Sequence, residues 1–131
     1  MNNIIEINEK LPDLLPLKPA SNDAITKAEN DLNLSFSEEY KEYLVKYGAI
    51  LADGIELTGI AKSEHRDVVK VTLQGWELNK NVPKNLYVVE DTRVDGIIIW
   101  QDSEGIIYKS SPNSEVKKIN DSLADYLNAK Y

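Results

Sequence analysis

Residues 37–57 read SEEYKEYLVKYGAILADGIEL, and the spacing of the large apolar residues changes within them. Tyr40, Tyr43, Leu44 and Tyr47 recur at three- and four-residue intervals, with Lys41, Glu42 and Lys46 off that stripe, so the spacing predicts an amphipathic helix. Ser35 or Ser37 can cap its start, and Glu38 and Glu39 fall in the first turn, where the helix end carries partial positive charge. Gly48 stands where a left-handed residue closes a helix. Ser35 and Glu38 also have capping-box spacing. Beyond Gly48 the pattern becomes strand-like: Asp53-Gly54 signals a turn and Ile55–Leu57 a strand.

Working upstream, Ile25, Ala28, Glu29 and Leu32 repeat the helical spacing, with Ser21 or Asn22 as cap and Asn33 as the break. Two short helices in tandem are therefore expected. Before them, Pro12, Pro16 and Pro19 alternate with Leu11, Leu14, Leu15 and Leu17. Prolines so spaced forbid a continuous helix, while four leucines are too many for a solvated tail. Residues 1–19 are read as an arm lying against a domain of residues 20–131, with a short helix or strand near Ile4–Ile7.

Downstream, the expected strands are Val68–Leu73, Leu86–Glu90, Gly96–Gln101, Ile106–Lys109 and Val116–Ile119. Asp95-Gly96 marks a turn, and Asp102–Gly105 reads as a hairpin loop. Connections this short favour antiparallel pairing, because a parallel crossover needs a dozen residues or more. Asp121-Ser122 caps a last helix carrying Leu123, Tyr126 and Leu127. The expected fold is α+β: a single domain with a mostly antiparallel sheet, helices packed on one face, an N-terminal helix pair and a C-terminal helix.

The composition bounds the function. For 131 residues, area scaling gives a folded surface of about 7,000 Å² against about 21,000 Å² extended, enough for a core without staples. The absence of cysteine excludes disulfides, thiolate metal sites, iron-sulfur clusters and a cysteine nucleophile. A net charge of −7 argues against direct nucleic-acid binding, which needs local Lys or Arg, and suits a basic partner. No run approaches the roughly 20 apolar residues of a membrane span, and the start of the chain lacks the order of a secretory signal. The expected compartment is the cytoplasm, without a membrane partner, as a monomer or weak homodimer.

Chemistry is sparse. There is no phosphate-binding glycine loop, and His65, the single histidine, lies in the charged stretch Lys62–Asp67 and reads as a solvated loop residue. The acids Glu90, Asp91, Asp95, Asp102 and Glu104 fall near successive strand ends, where a carboxylate cluster at one sheet edge is expected. Solvated turns, a protein-binding rim, and catalysis or metal binding are its three readings. Tyr40, Tyr43 and Tyr47 are assigned to packing, Trp100 to structure, and Trp76, placed in a loop, either to the core edge or to a partner anchor.

The ordered set Ile25–Glu29, Leu32-Asn-Leu34, Phe36–Leu44, Tyr47-Gly48, Glu56–Ile60, Pro83–Val89, Asp95-Gly96, Trp100, Gly105–Tyr108 and Ser122–Leu127 resembles the SUKH superfamily, the Smi/Knr-like group. Glu29, Tyr40, Leu44, Tyr47 and Gly48 match its helical signature. Ser37 stands where that group usually has proline, capping the helix instead of pre-setting φ.

The resemblance implies a bacterial immunity protein that acts without a cofactor, binding and neutralising a cognate polymorphic or contact-delivered toxin domain, often a nuclease and therefore basic. Eukaryotic relatives imply the alternative of a regulatory scaffold; the carboxylates leave an enzyme as the third reading. The partner-binding residues expected on the immunity reading are Asp53, Glu56, Trp76, Asp91, Asp95, Asp102 and Glu104, since aromatic anchors supply affinity and rim charges steer approach.

Overall fold

The computed structural model describes residues 3–52, 54–112 and 114–130. Helix formation follows the local caps. Ser21 Oγ accepts Ala24 N at 3.1 Å to start α2 (Asn22–Leu32), which Asn33 closes with a left-handed φ of 54°. Ser37 Oγ accepts Tyr40 N at 3.0 Å to start α3 (Glu38–Tyr47), and Gly48 closes it at φ 73°. Glu29 joins the pair: its Oε2 accepts Phe36 N at 2.8 Å in the connecting turn. Upstream, α1 (Ile4–Glu9) is capped by Asn3, and its Ile4 and Ile7 enter the core together with Leu11.

The strands form two antiparallel sheets. β1 (Leu15–Pro16), β2 (Ile50–Ala52) and β3 (Ile55–Leu57) make the first, in that order. The second is a meander of β4 (Tyr87–Asp91), β5 (Ile98–Gln101), β6 (Ile107–Ser111) and β7 (Ser114–Asn120). Thr58 fastens them together: its N–H donates to Val89 O at 2.9 Å and its hydroxyl to Val88 O at 2.7 Å. That hydroxyl hydrogen being spent, Tyr40 is the donor in the 2.8 Å Tyr40–Thr58 contact, while Tyr43 OH donates to Thr58 O at 2.8 Å. The helix tyrosines thus bury their hydroxyls as well as their rings.

Val68–Leu73, expected as a strand, is instead the start of α4 (Val68–Leu78), and Trp76 lies on this helix rather than in a loop. Asp67 caps it, and the buried set Val68, Val71, Thr72 and Gly75 has helical spacing. The β-branched residues that suggested a strand are accommodated because they face apolar strand residues. Val71, Val88, Ile98 and Trp100 form one cluster with Leu86, on one face of the meander. The other face carries Tyr87, Val89, Ile99 and Ile107 against Phe36, Tyr40 and α5 (Leu123–Lys130), the expected last helix. The folded surface is 7417 Å², close to the scaling expectation.

Candidate protein-binding surface

The predicted site residues separate into three places. Consecutive hairpins in a meander turn at alternate ends of the sheet, so acids near successive strand ends do not gather at one edge. Asp91 and Asp95 lie at the β4–β5 end, where Glu56 of β3 is also found; Asp102 and Glu104 lie at the opposite, β5–β6 end. Trp76 is on α4, half-buried, with its indole N–H donating to Leu86 O at 3.0 Å. Asp53 lies outside the described residues.

At the β4–β5 end the chain folds back tightly. Val94 O accepts Ile97 N at 3.0 Å, with Asp95 at φ 53° and Gly96 at φ 71°, the left-handed pair of a type I′ turn. Asp91 Oδ1 accepts Arg93 N at 3.0 Å, and Thr92 Oγ1 donates to Ile97 O at 2.8 Å, stiffening the approach to the tip. Glu56 is held by two cations, Arg66 Nε at 3.2 Å and Arg93 at 3.6 Å. What this end offers a partner is the exposed Asp91 and Asp95 beside Val94, an apolar side chain 58% exposed at the tip. Sequence reasoning missed Val94, Arg66 and Arg93; an apolar residue between turn-forming charges was the available signal for Val94.

The other end is used internally. Asp102 is buried, and its Oδ1 accepts Glu104 N at 2.9 Å and Ile106 N at 3.0 Å, so it builds the hairpin loop. Its Oδ2 accepts the Tyr108 hydroxyl at 3.1 Å; burial, then this bond, raise the Tyr108 pKa. Glu104 remains exposed at the tip.

Glu90 is turned inward by a β-bulge between Val88 and Glu90, which places it with Val89 on the α5 side. There it accepts Tyr126 OH at 2.6 Å and pairs with Lys130 at 3.1 Å. Among the described residues no three metal-ligating side chains gather, and no helix is long and apolar enough to cross a membrane.

The family model described as SUKH_5: SMI1-KNR4 cell-wall matches residues 1–131. A crystal structure of a protein from Pseudomonas syringae pv. tomato is similar at TM-score 0.73 and 19% identity, with 95% of each chain covered, a likeness of fold. Comparison with curated proteins gives no match.

Proposed function

We propose, from the premise that this chain belongs to the SMI1-KNR4 family, that it is a non-enzymatic immunity protein acting in the cytoplasm, where it binds and neutralises a cognate toxin domain. The observation that carries this reading is the match of the family model along all 131 residues. The net charge of −7 supports a basic target such as a nuclease domain, whose substrate surface must be positive.

The β4–β5 end is the surface we assign to the toxin. Asp91 and Asp95 steer approach, and Val94 is an apolar contact on a tip stiffened by local hydrogen bonds, so little ordering is lost on binding. Trp76 and Glu104, far from that tip along the fold, are assigned to the rim or to other contacts.

The experiment is co-purification with candidate toxin domains encoded beside this chain, followed by calorimetry at two salt concentrations and an assay of toxin activity. One-to-one binding, weakened by salt and accompanied by loss of toxin activity, is expected. Binding confined to a host regulator would replace this reading with that of a regulatory scaffold.

A further inference from the structure

The segment Leu17–Ala20 belongs to no regular element over most of its length, yet it is held at both ends. Leu17 N donates to Ala49 O at 2.9 Å and Ala20 N to Leu44 O at 3.0 Å. On the other side of the α3 C-terminus, Ile60 N donates to Gly48 O at 2.9 Å and Gly59 N to Arg66 O at 2.8 Å. Both segments rest directly on Gly48. A Cβ on Gly48 would lie 1.9 Å from Lys18 O, and one on Gly59 would lie 1.8 Å from Gly48 O. Three backbones in contact fix the separation of two walls, residues 17–20 and 60–66, and between them runs an open groove of about 720 Å³ closed by the first turn of α2.

The groove has an apolar floor and a basic rim. Leu17, Ala24 and Ile60 line it together with Lys18, Lys62 and Arg66. Lys18 and Lys62 have no ion-pair partner among the described residues, whereas Arg66 is paired with Glu56. Of the neighbouring acids, Glu64 pairs with Lys70 at 3.7 Å, and Asp23 stands exposed in the first turn of α2. Two unneutralised lysines beside exposed apolar surface are a local reversal of charge in a chain of −7.

We propose that this groove is a preformed docking channel for an extended peptide segment of a partner protein in which apolar and acidic residues alternate. The apolar side chains sit on the floor and the carboxylates face Lys18 and Lys62. Charge complementarity selects the acidic peptide, and fixed walls reduce the ordering cost of binding. This surface adjoins the β4–β5 end through the Arg66–Glu56 pair, but Asp91, Val94 and Asp95 do not line it, and the proposal does not depend on the immunity reading.

The test is an amide NMR titration of the full chain with an end-blocked peptide of alternating leucine and aspartate, against a control of alternating leucine and lysine. The acidic peptide is expected to shift Lys18, Ala24, Ile60 and Lys62, with affinity falling as salt is raised. The double charge reversal Lys18→Glu and Lys62→Glu is expected to weaken binding roughly tenfold or more, and Ala24→Phe, which fills the floor and keeps both lysines, to abolish it. The exposed lysine changes retain the fold, so they decide the matter if Ala24→Phe does not fold. Equal binding of the lysine peptide, no binding, shifts elsewhere, or insensitivity to charge reversal overturns the proposal. Concentration-dependent shifts of the same amides without peptide overturn it in favour of a second copy as the occupant.

Discussion

The carboxylate of Glu39, in the first turn of α3, accepts the backbone N–H of Leu123 at 2.7 Å, and Leu123 opens α5 at the other end of the chain. Its second oxygen accepts Ala124 N at 3.0 Å, while Ser122 takes the next two donors, Asp125 N through Oγ and Tyr126 N through its carbonyl. The N–H groups of the first three residues of α5 are thereby capped, two of them from another helix, and the Tyr126 bond begins the helix's own ladder. Glu39 also accepts the Gln101 side-chain amide at 2.8 Å.

Removing that carboxylate therefore uncaps α5 and leaves a buried amide short of a partner. Glu39→Ala is expected to cost about 2 kcal/mol, and Glu39→Gln, which keeps one uncharged acceptor, about 1 kcal/mol. Urea denaturation of the two variants beside the parent measures both. Equal stability of Glu39→Ala and the parent would mean that water replaces the cap without loss.

Gly75 makes the second prediction. A Cβ there would stand 2.9 Å from Trp100 Cη2 and 3.3 Å from Val88 Cγ2, so α4 approaches the sheet through its missing side chain. Alanine favours a helix over glycine by about 1 kcal/mol, but overpacking a filled site costs about 1–3 kcal/mol. Gly75→Ala is expected to be destabilised by about 1 kcal/mol net. The near-ultraviolet signal of Trp100, whose N–H donates to Ser110 Oγ at 2.8 Å, is expected to change with it. A stabilised variant would show that α4 can lift away freely.

The helices differ in how far they could be read from sequence. Ser21, Ser37 and Gly48 each solve a local problem at a helix end, and local problems leave local signatures. The helix α4 left none that was decisive: Val68, Val69, Val71 and Thr72 suit both a strand and a helix, and what selects the helix is a sheet face made later by Val88, Ile98 and Trp100. The acids were legible as turn residues and not in their grouping. Asp95 and Asp102 look alike as turn acids, yet the meander sends one to a solvent-exposed tip and the other into its own hairpin. Glu90 was illegible for a further reason, since a bulge reversed the face predicted by alternation.

Alkaline pH is expected to weaken the fold through its tyrosines. Burial raises the hydroxyl pKa of Tyr40, Tyr43 and Tyr87 well above the ordinary value, and burial followed by the hydrogen bond to Glu9 pushes Tyr47 up to about 12. A phenol whose folded pKa is raised loses its proton more readily when unfolded. The stability it contributes is complete below the unfolded value of about 10 and is lost as pH rises through the folded value. Urea midpoints are expected to hold level to about pH 9 and fall between about pH 10 and 12. Tyrosinate absorbance from the buried set should appear with unfolding; its appearance in the folded protein near pH 10 would contradict the burial account.

On the proposed function, Asp95 and Asp102 separate binding from folding. Asp102 supplies the acceptor for Glu104 N, Ile106 N and Tyr108 OH, so Asp102→Ala is expected to destabilise the protein by about 2 kcal/mol. Any loss of toxin binding it causes should then recover when the temperature is lowered and the folded fraction restored. Asp95 is exposed at the turn tip with a left-handed φ of 53°, a conformation that asparagine also adopts, so Asp95→Asn removes the charge and keeps the turn. It is expected to leave the urea midpoint unchanged. Combined with Asp91→Asn, it should slow association with the toxin domain by severalfold at low salt and flatten the dependence of that rate on salt, while the dissociation rate stays nearly constant. Stopped-flow association at two salt concentrations reads both quantities. A parental salt dependence in the double variant would remove Asp91 and Asp95 from the interface, and Val94→Ser, which keeps both acids, then tests whether the apolar contact at the tip alone contributes to the dissociation rate.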